Sequence, residues 1–273
     1  MEMLKHQGFS TIILILSGIS ITYIVFPLAS ILTFGEPTEL LDYLKRPELW
    51  DAFVLSLSSA SISTLFLTLF GIPLAYFLAR YTNFRGKFVI RVVVIIPLVL
   101  PPLASGALLL GVYGPRSNLV QYFPGVEFTQ SMLGVIIAQT YIASPFMILA
   151  SQAAFESVDE SYEKVARSLG KNKLETFFRI SLPLAKTGII IGIMMSWVRA
   201  VGELGATMMM AYNPHTISIQ IFEDNAIGGL RQAVSGIILV VLLATLVLAV
   251  FYITGTKGLR VISLGKSGSS EHQ

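Results

Sequence analysis

Ser157-Val-Asp-Glu-Ser-Tyr-Glu-Lys-Val-Ala-Arg-Ser-Leu-Gly170 is a dense run of charge set between two apolar stretches, residues 132–155 and 187–212. Each flanking stretch has at least the roughly 20 residues a helix needs to cross a bilayer. Four more such runs lie further out, at about 9–34, 53–79, 92–112 and 233–254. Within all six, only Arg199 and Glu203 are charged. The whole chain of 273 residues is 54% hydrophobic and 13% charged. A soluble domain needs about 25% charged residues to cover its surface. The fold class expected is an all-α integral membrane protein of six transmembrane helices embedded in the lipid bilayer. The first run is too long for a signal-peptide core of about 7–15 residues and is read as a retained helix.

Lysine and arginine collect in the loops that stay in the cytoplasm. One set of loops holds Lys5, Arg80, Arg85, Lys87, Arg91, Lys164, Arg167, Lys171, Lys173, Arg179, Lys186, Lys257, Arg260 and Lys266; the other holds Lys45, Arg46, Arg116 and Arg231. That asymmetry predicts a multi-pass protein of the cell membrane with both termini cytoplasmic. The basic residues are accounted for by topology, and no nucleic-acid partner is expected. The chain has no cysteine, which excludes disulfides, zinc–thiolate clusters and thiol nucleophiles. His6, His215 and His272 are far apart in sequence, so no metal site is expected.

The cytoplasmic connection 156–186 shows local order. Ser157-Val-Asp-Glu160 reads as a capping box. Val158, Tyr162, Val165 and Leu169 recur at helical spacing on one face, and Gly170 suits a left-handed stop. Asn172-Lys-Leu-Glu175 reads as a second capping box, opening a short helix that ends before Pro183. An amphipathic helix outside the membrane either rests on lipid headgroups or docks a partner. Tyr and Val on its apolar face, in place of bulky Leu or Trp, favour docking.

The segment from Lys164 to Gly170, followed after nine residues by Ile180-Ser-Leu-Pro183, resembles the E-A-A-x3-G-x9-I-x-L-P loop of ABC importer permeases. Ala166, Gly170, Ile180, Leu182 and Pro183 are in register. Lys164 stands at the first glutamate, with Glu163 one place earlier, and Val165 at the first alanine. The resemblance implies a type I ABC importer permease-like fold. It also implies a coupling helix that enters a cytoplasmic ATPase subunit through Glu163, Lys164, Ala166, Arg167, Leu169, Gly170 and Pro183.

Pro97-Leu-Val-Leu-Pro-Pro102 lies in the third apolar run, where three prolines must kink or unwind a helix. Arg199-Ala-Val-Gly-Glu-Leu-Gly-Ala206 lies in the fifth. A charge at mid-bilayer costs about 2.5–3.5 kcal/mol by insertion scales, so both charges should face protein or water. Spaced by four, Arg199 and Glu203 can neutralise each other. They are either a structural ion pair or part of a route for transient passage, since their net charge near zero argues against tight capture. Both segments are similar to those of permeases for molybdate, tungstate and sulfate. That similarity marks Pro97, Pro101, Pro102, Ser105, Arg199, Glu203 and Thr207 as candidate gate and pathway residues. Gly188-x3-Gly192 marks a possible close helix contact.

The chain lacks a phosphate loop: at Gly265-Lys-Ser267 the first glycine of that pattern is replaced by Arg260. ATP and its magnesium are therefore assigned to a separate ATPase chain, with no cofactor and no catalytic residue on this one. Six helices do not easily enclose a route for a hydrated dianion, which favours a homodimer with the route on its two-fold axis. The resemblance adds two cytoplasmic ABC ATPase subunits and an extracellular or periplasmic oxyanion-binding protein. The expected function is import of a tetrahedral oxyanion by alternating access, molybdate or tungstate before sulfate. The alternatives are an ion-coupled secondary transporter, which needs broken helices at matching positions of two halves, and an ABC permease for another small solute. Residues 1–255 form the expected permease domain and 256–273 an expected disordered tail; residues 212–232 are expected to form a structured excursion on the outside.

Overall fold

The computed structural model describes the backbone of residues 2–33, 37–81 and 84–267, and side chains within 11–31, 33, 41–81 and 84–250. Among the described residues every regular element is helical. In chain order they are α1 (Glu2–Ser30), α2 (Pro37–Leu44), α3 (Pro47–Arg80), α4 (Lys87–Val99), α5 (Pro102–Tyr113), α6 (Asn118–Gln121) and α7 (Met132–Glu156). There follow α8 (Glu160–Ser168), α9 (Lys173–Thr176), α10 (Leu182–Val201), α11 (Gly205–Met210) and α12 (Ile217–Ser267). Among the described residues five helical stretches are long and apolar enough to cross a membrane, and a bent pair, Lys87–Val99 with Pro102–Gln121 at 118°, makes six if it counts as one span.

The helix ends differ from the expected bounds in three runs, and the kink expected in the third takes a definite form. The first helix begins at Glu2 and ends at Ser30. The third run is two helices meeting at an elbow. The fifth is interrupted after Val201, because Gly202 leaves the helix and α11 starts afresh at Gly205. The last helix begins at Ile217, inside the expected outer excursion, and takes one non-helical step at Gly229 (φ 67°, ψ −168°). Its backbone stays helical to Ser267, where an unstructured tail was expected from 256; residues 268–273 lie outside the described residues.

The chain divides into two compact units, residues 47–220 with 243–273, and residues 1–46 with 221–242. In the larger unit α3, α7 and α10 form the core. On α3 the buried positions Ser56, Ser59, Ala60, Ser63, Leu67, Gly71, Ala75 and Leu78 recur every three or four residues, one helix face. Nearly all are small. Lipid tails are as apolar as leucine, so helices in a bilayer associate through close packing and polar contacts more than by hydrophobic exclusion. Gly188 and Gly192 meet this requirement on α10. A Cβ at Gly188 would lie 2.5 Å from the Cβ of Ala154, and one at Gly192 would lie 3.2 Å from that of Ala150. The small-x3-small face therefore lies against α7. Ser63 Oγ adds a cross-helix bond to the Ile136 carbonyl of α7 at 3.1 Å.

In the smaller unit, the Asp224 carboxylate accepts from the two terminal guanidinium nitrogens of Arg46, at 3.0 and 2.8 Å, and from the side-chain amide of Gln232 at 3.1 Å. The described side chains of α1 from Thr11 to Ala29 are exposed along their length, as a lipid-facing or partner-facing helix requires.

Candidate functional site

The α7–α10 connection contains the first cluster of candidate residues. Helix α8 begins at Asp159, whose carboxylate accepts the Ser161 amide at 2.7 Å. That hydrogen bond holds the Asp159 carboxyl below the usual carboxylate range. The expected capping box at Ser157 is not formed: Ser157 Oγ donates instead to the Ala154 carbonyl at the end of α7. The helix closes as expected at Gly170, with φ 85°. The amides of Gly170 and Lys171 donate to the carbonyls of Arg167 and Ala166 at 3.0 and 3.1 Å, the paired bonds of a Schellman motif. The second capping box, Asn172 with Glu175, is complete.

Pro183 does not end the short helix begun by that box. Between Thr176 and α10 the backbone winds as a π turn, Phe177–Ser181, and Pro183 sits in the first turn of α10. A proline ring clashes with the carbonyl four residues back. A π turn pairs i with i+5 and loosens that register just ahead of the proline.

The faces of α8 divide the candidates. Tyr162, Val165 and Leu169 are exposed, while Val158 is buried against the bundle. With Lys171, Arg179 and Pro183 the three exposed residues border an open groove of about 690 Å³. Lys164, Arg167, Leu169, Gly170 and Pro183 are on the open side. Lys164 pairs with Glu160 at 3.6 Å, and Arg167 Nε donates to the Glu163 carbonyl at 3.4 Å. Ala166 and Glu163 turn inward. The Glu163 carboxylate accepts from Arg80 Nε at 2.7 Å, Ser181 Oγ at 2.9 Å and Tyr76 Oη at 3.1 Å. A contact from that carboxylate to another subunit, as the loop pattern implied, is closed off by these three donors. Arg80 entered the sequence reading only as a loop charge and Tyr76 and Ser181 not at all. The available signal was Tyr76 and Arg80 one turn apart at the end of the second span.

The second cluster joins the two proline- and glycine-rich segments. Leu100 and Pro101 each precede a proline, a position that disfavours the helical region, and both are extended, with ψ 138° and 136°. Pro102 then starts α5, where its missing N–H is harmless. Pro97 lies buried within α4, whereas Pro101 and Pro102 are exposed. From the other side, Arg199 ends α10 and pairs with Glu203 at 2.5 Å; the side chains are 28% and 1% exposed. The other oxygen of Glu203 accepts the Ala206 amide at 2.8 Å. One carboxylate thus spans the break, holding the end of α10 with one oxygen and the start of α11 with the other.

α5 and α11 meet through glycines. A Cβ on Gly106 would lie 2.8 Å from the Cα of Ala206 and from the Cβ of Met209, and one on Gly205 would lie 2.8 Å from the Cβ of Pro102. Beside this contact Ser105 and Thr207 are fully buried, and neither hydroxyl has a hydrogen-bond partner among the described residues. Apart from Pro97 on α4 and Arg199 in the last turn of α10, every expected pathway residue lies on α5, on α11 or at the two breaks that precede them. The exposed part of Arg199 borders an apolar groove of about 470 Å³ with Phe146, Met194, Met195 and Val198. No group of three potential metal ligands occurs among the described residues.

Among the described residues the helices break at the α4–α5 elbow, between α10 and α11 and at Gly229, where the sequence signals one break, so the count of breaks no longer argues against a secondary transporter. Comparison with known proteins does. The family model described as "Binding-protein-dependent transport system inner membrane component" matches residues 71–256. The chain is 41% identical over 220 residues to the "Probable molybdenum ABC transporter permease protein" of Haloferax volcanii, covering 81% of each chain. It is 35% identical over 224 residues to the "Molybdate/tungstate transport system permease protein WtpB" of Pyrococcus abyssi, covering 80% of this chain and 84% of that one. Among solved structures, a bacterial alginate ABC transporter in complex with its periplasmic protein superposes with a TM-score of 0.67 at 16% identity, over 88% of this chain and 93% of the other. The chain belongs to the binding-protein-dependent inner membrane components and has the fold of the type I ABC importer permeases.

Proposed function

We propose that this chain is the membrane route for molybdate or tungstate in an ABC importer. It works as a homodimer with two cytoplasmic ATPase subunits, and a binding protein delivers the anion from outside. The observation that carries the substrate is the 41% identity, over 81% of each chain, to a permease named for molybdenum. Tight capture belongs to the binding protein, because the two charges of the fifth apolar run, Arg199 and Glu203, cancel within one ion pair.

In this reading α8 and both termini lie on the cytoplasmic side, which the basic asymmetry of the loops supports. Its outward stripe of Tyr162, Val165 and Leu169 is the surface an ATPase cleft would cover, and the basic Lys171 and Arg179 beside the groove suit an acidic rim. ATP and magnesium bind the partner subunits, and their closure drives the docking helices inward. The α4–α5 elbow and the α10–α11 break then divide the membrane core into short pieces that can tilt separately. Arg199 and Glu203 act as the brace of that break, with Glu203 joining its two sides.

Reconstitution tests this reading. The chain, its candidate ATPase and its candidate binding protein are placed in proteoliposomes, and uptake of labelled molybdate is followed with tungstate or sulfate as competitor. ATP-dependent uptake inhibited by tungstate and not by equimolar sulfate is expected. Equal inhibition by sulfate refutes the substrate, and uptake without the ATPase refutes the class.

A further inference from the structure

We propose that Glu163 is the positioning residue that locks the docking helix to the membrane bundle, so that motion of α8 is delivered to α3 and α10 together. This rests on the importer reading above. The observation is a buried polar node with members from three elements. Glu163, on the inner face of α8, takes Arg80 and Tyr76 from the end of α3 and Ser181 from the turn that leads into α10. Arg80 Nη2 donates to the Val158 carbonyl at 3.0 Å, just ahead of α8. The side chains of Arg80 and Glu163 are each 8% exposed. Tyr76 is wedged edge-on against Phe155 and Phe177, with ring centroids 5.2 and 4.8 Å away, which walls the node with aromatic rings.

The rest of α8 offers little other grip. Its apolar residues Tyr162, Val165 and Leu169 point outward, Ala166 is a single methyl against the bundle, and Gly170 follows in a left-handed turn. Apolar contacts slide at small cost, because they have no preferred direction. A charge-assisted bond is directional, and breaking a buried pair leaves an uncompensated charge in low dielectric. Displacement of α8 therefore moves α3 and α10 with it while the node holds. With the node neutralised, the helix can shift over the bundle and ATP closure is spent on the docking helix alone.

The test uses the whole importer in proteoliposomes, with ATP hydrolysis and molybdate uptake measured on the same preparation. Glu163→Gln, Arg80→Gln, their double variant and Ser181→Ala are compared with the parent. Expected is normal co-purification of the ATPase with each. Uptake per ATP hydrolysed should fall about tenfold in both single charge variants, on the scale of ordinary coupling energies, and no further in the double. Ser181→Ala keeps the ion pair and should lose about threefold, within the range known for residues that modulate coupling. A merely structural role lowers hydrolysis and uptake in proportion and leaves their ratio at the parent value, which overturns the proposal. Loss of the ATPase on purification also overturns it, because Glu163 is then a docking contact. If Glu163→Gln does not assemble, an unchanged ratio in Ser181→Ala still decides against the lock. Uptake by the parent without ATP refutes the importer reading, which is a different failure.

Discussion

Gly106→Ala puts the contact between α5 and α11 to a direct test. The new methyl would stand 2.8 Å from the Cα of Ala206, 2.8 Å from the Cβ of Met209 and 2.9 Å from the Ala206 carbonyl oxygen, where ordinary van der Waals contact begins at 3.4 Å. Two of the three atoms are backbone and the third is fixed to it, so no side-chain rotation relieves the clash. The two elements must part by roughly 0.6 Å, and overpacking of this kind costs about 1–3 kcal/mol. At about 2–4 °C per kcal/mol for a chain of this size, the melting temperature in detergent should fall by several degrees. Gly111→Ala is the control on the same helix: nothing lies within 4 Å of its added methyl, and helix propensity alone favours alanine by about 1 kcal/mol. The pair is read by thermal unfolding of the purified protein and by uptake in the reconstituted importer. Gly106→Ala should lower both, and Gly111→Ala should leave both intact or raise the first. Equal losses in the two variants would refute the close-approach argument, because the cost would then follow from glycine loss anywhere in α5.

The ion pair across the α10 break gives a second expectation. Arg199→Gln or Glu203→Gln should cost about 3–5 kcal/mol of stability, as removal of one partner of a buried pair does, with the apparent affinity for molybdate unchanged in the molecules that remain folded. A raised KM with an unchanged melting temperature would instead put the pair in the anion's path. Leu169→Asp or Val165→Asp on the exposed stripe should abolish co-purification of the ATPase at an unaltered melting temperature, and retained association would move the docking surface elsewhere. At the α8 cap, the folded Asp159 has a lower pKa than the unfolded one, so its stabilising effect is present above the ordinary carboxylate range and fades as pH falls through the depressed value. Hydrogen exchange of the Ser161 amide, corrected for intrinsic rates, should lose protection below about pH 4. In Asp159→Asn, which keeps an acceptor that does not titrate, the protection should be independent of pH over that range.

What the sequence made legible was the part written in local chemistry. Hydropathy marked the apolar runs, and the three prolines of 97–102 marked the third of them as kinked or unwound. Gly170 announced its left-handed turn, and Asn172 with Glu175 a capping box. The misreadings came where two local solutions compete or where partners are distant. Ser157 and Asp159 are both good caps two residues apart, and the choice falls to Asp159 because the Ser157 hydroxyl is engaged by the preceding helix. Pro183 looked like a stop because a π turn has no simple residue signature. Glu163 looked like a surface group because its partner Arg80 is 83 positions away. The helix ends at Gly202, a break the fifth run does not announce, and the tie that marks it, Glu203 to the Ala206 amide, is visible only once the chain has turned.

The elbow before α5 has one more consequence. Two consecutive pyrrolidine rings, Pro101 and Pro102, lack the N–H groups that would bond the Pro97 and Leu98 carbonyls, so annealing α4 and α5 into a straight rod would forfeit two helical hydrogen bonds in a row. The bent pair is therefore biased toward two arms about a short extended pivot. Changes in the angle between them can proceed by torsion of a few bonds, with no helical hydrogen bonds broken and remade in each turnover.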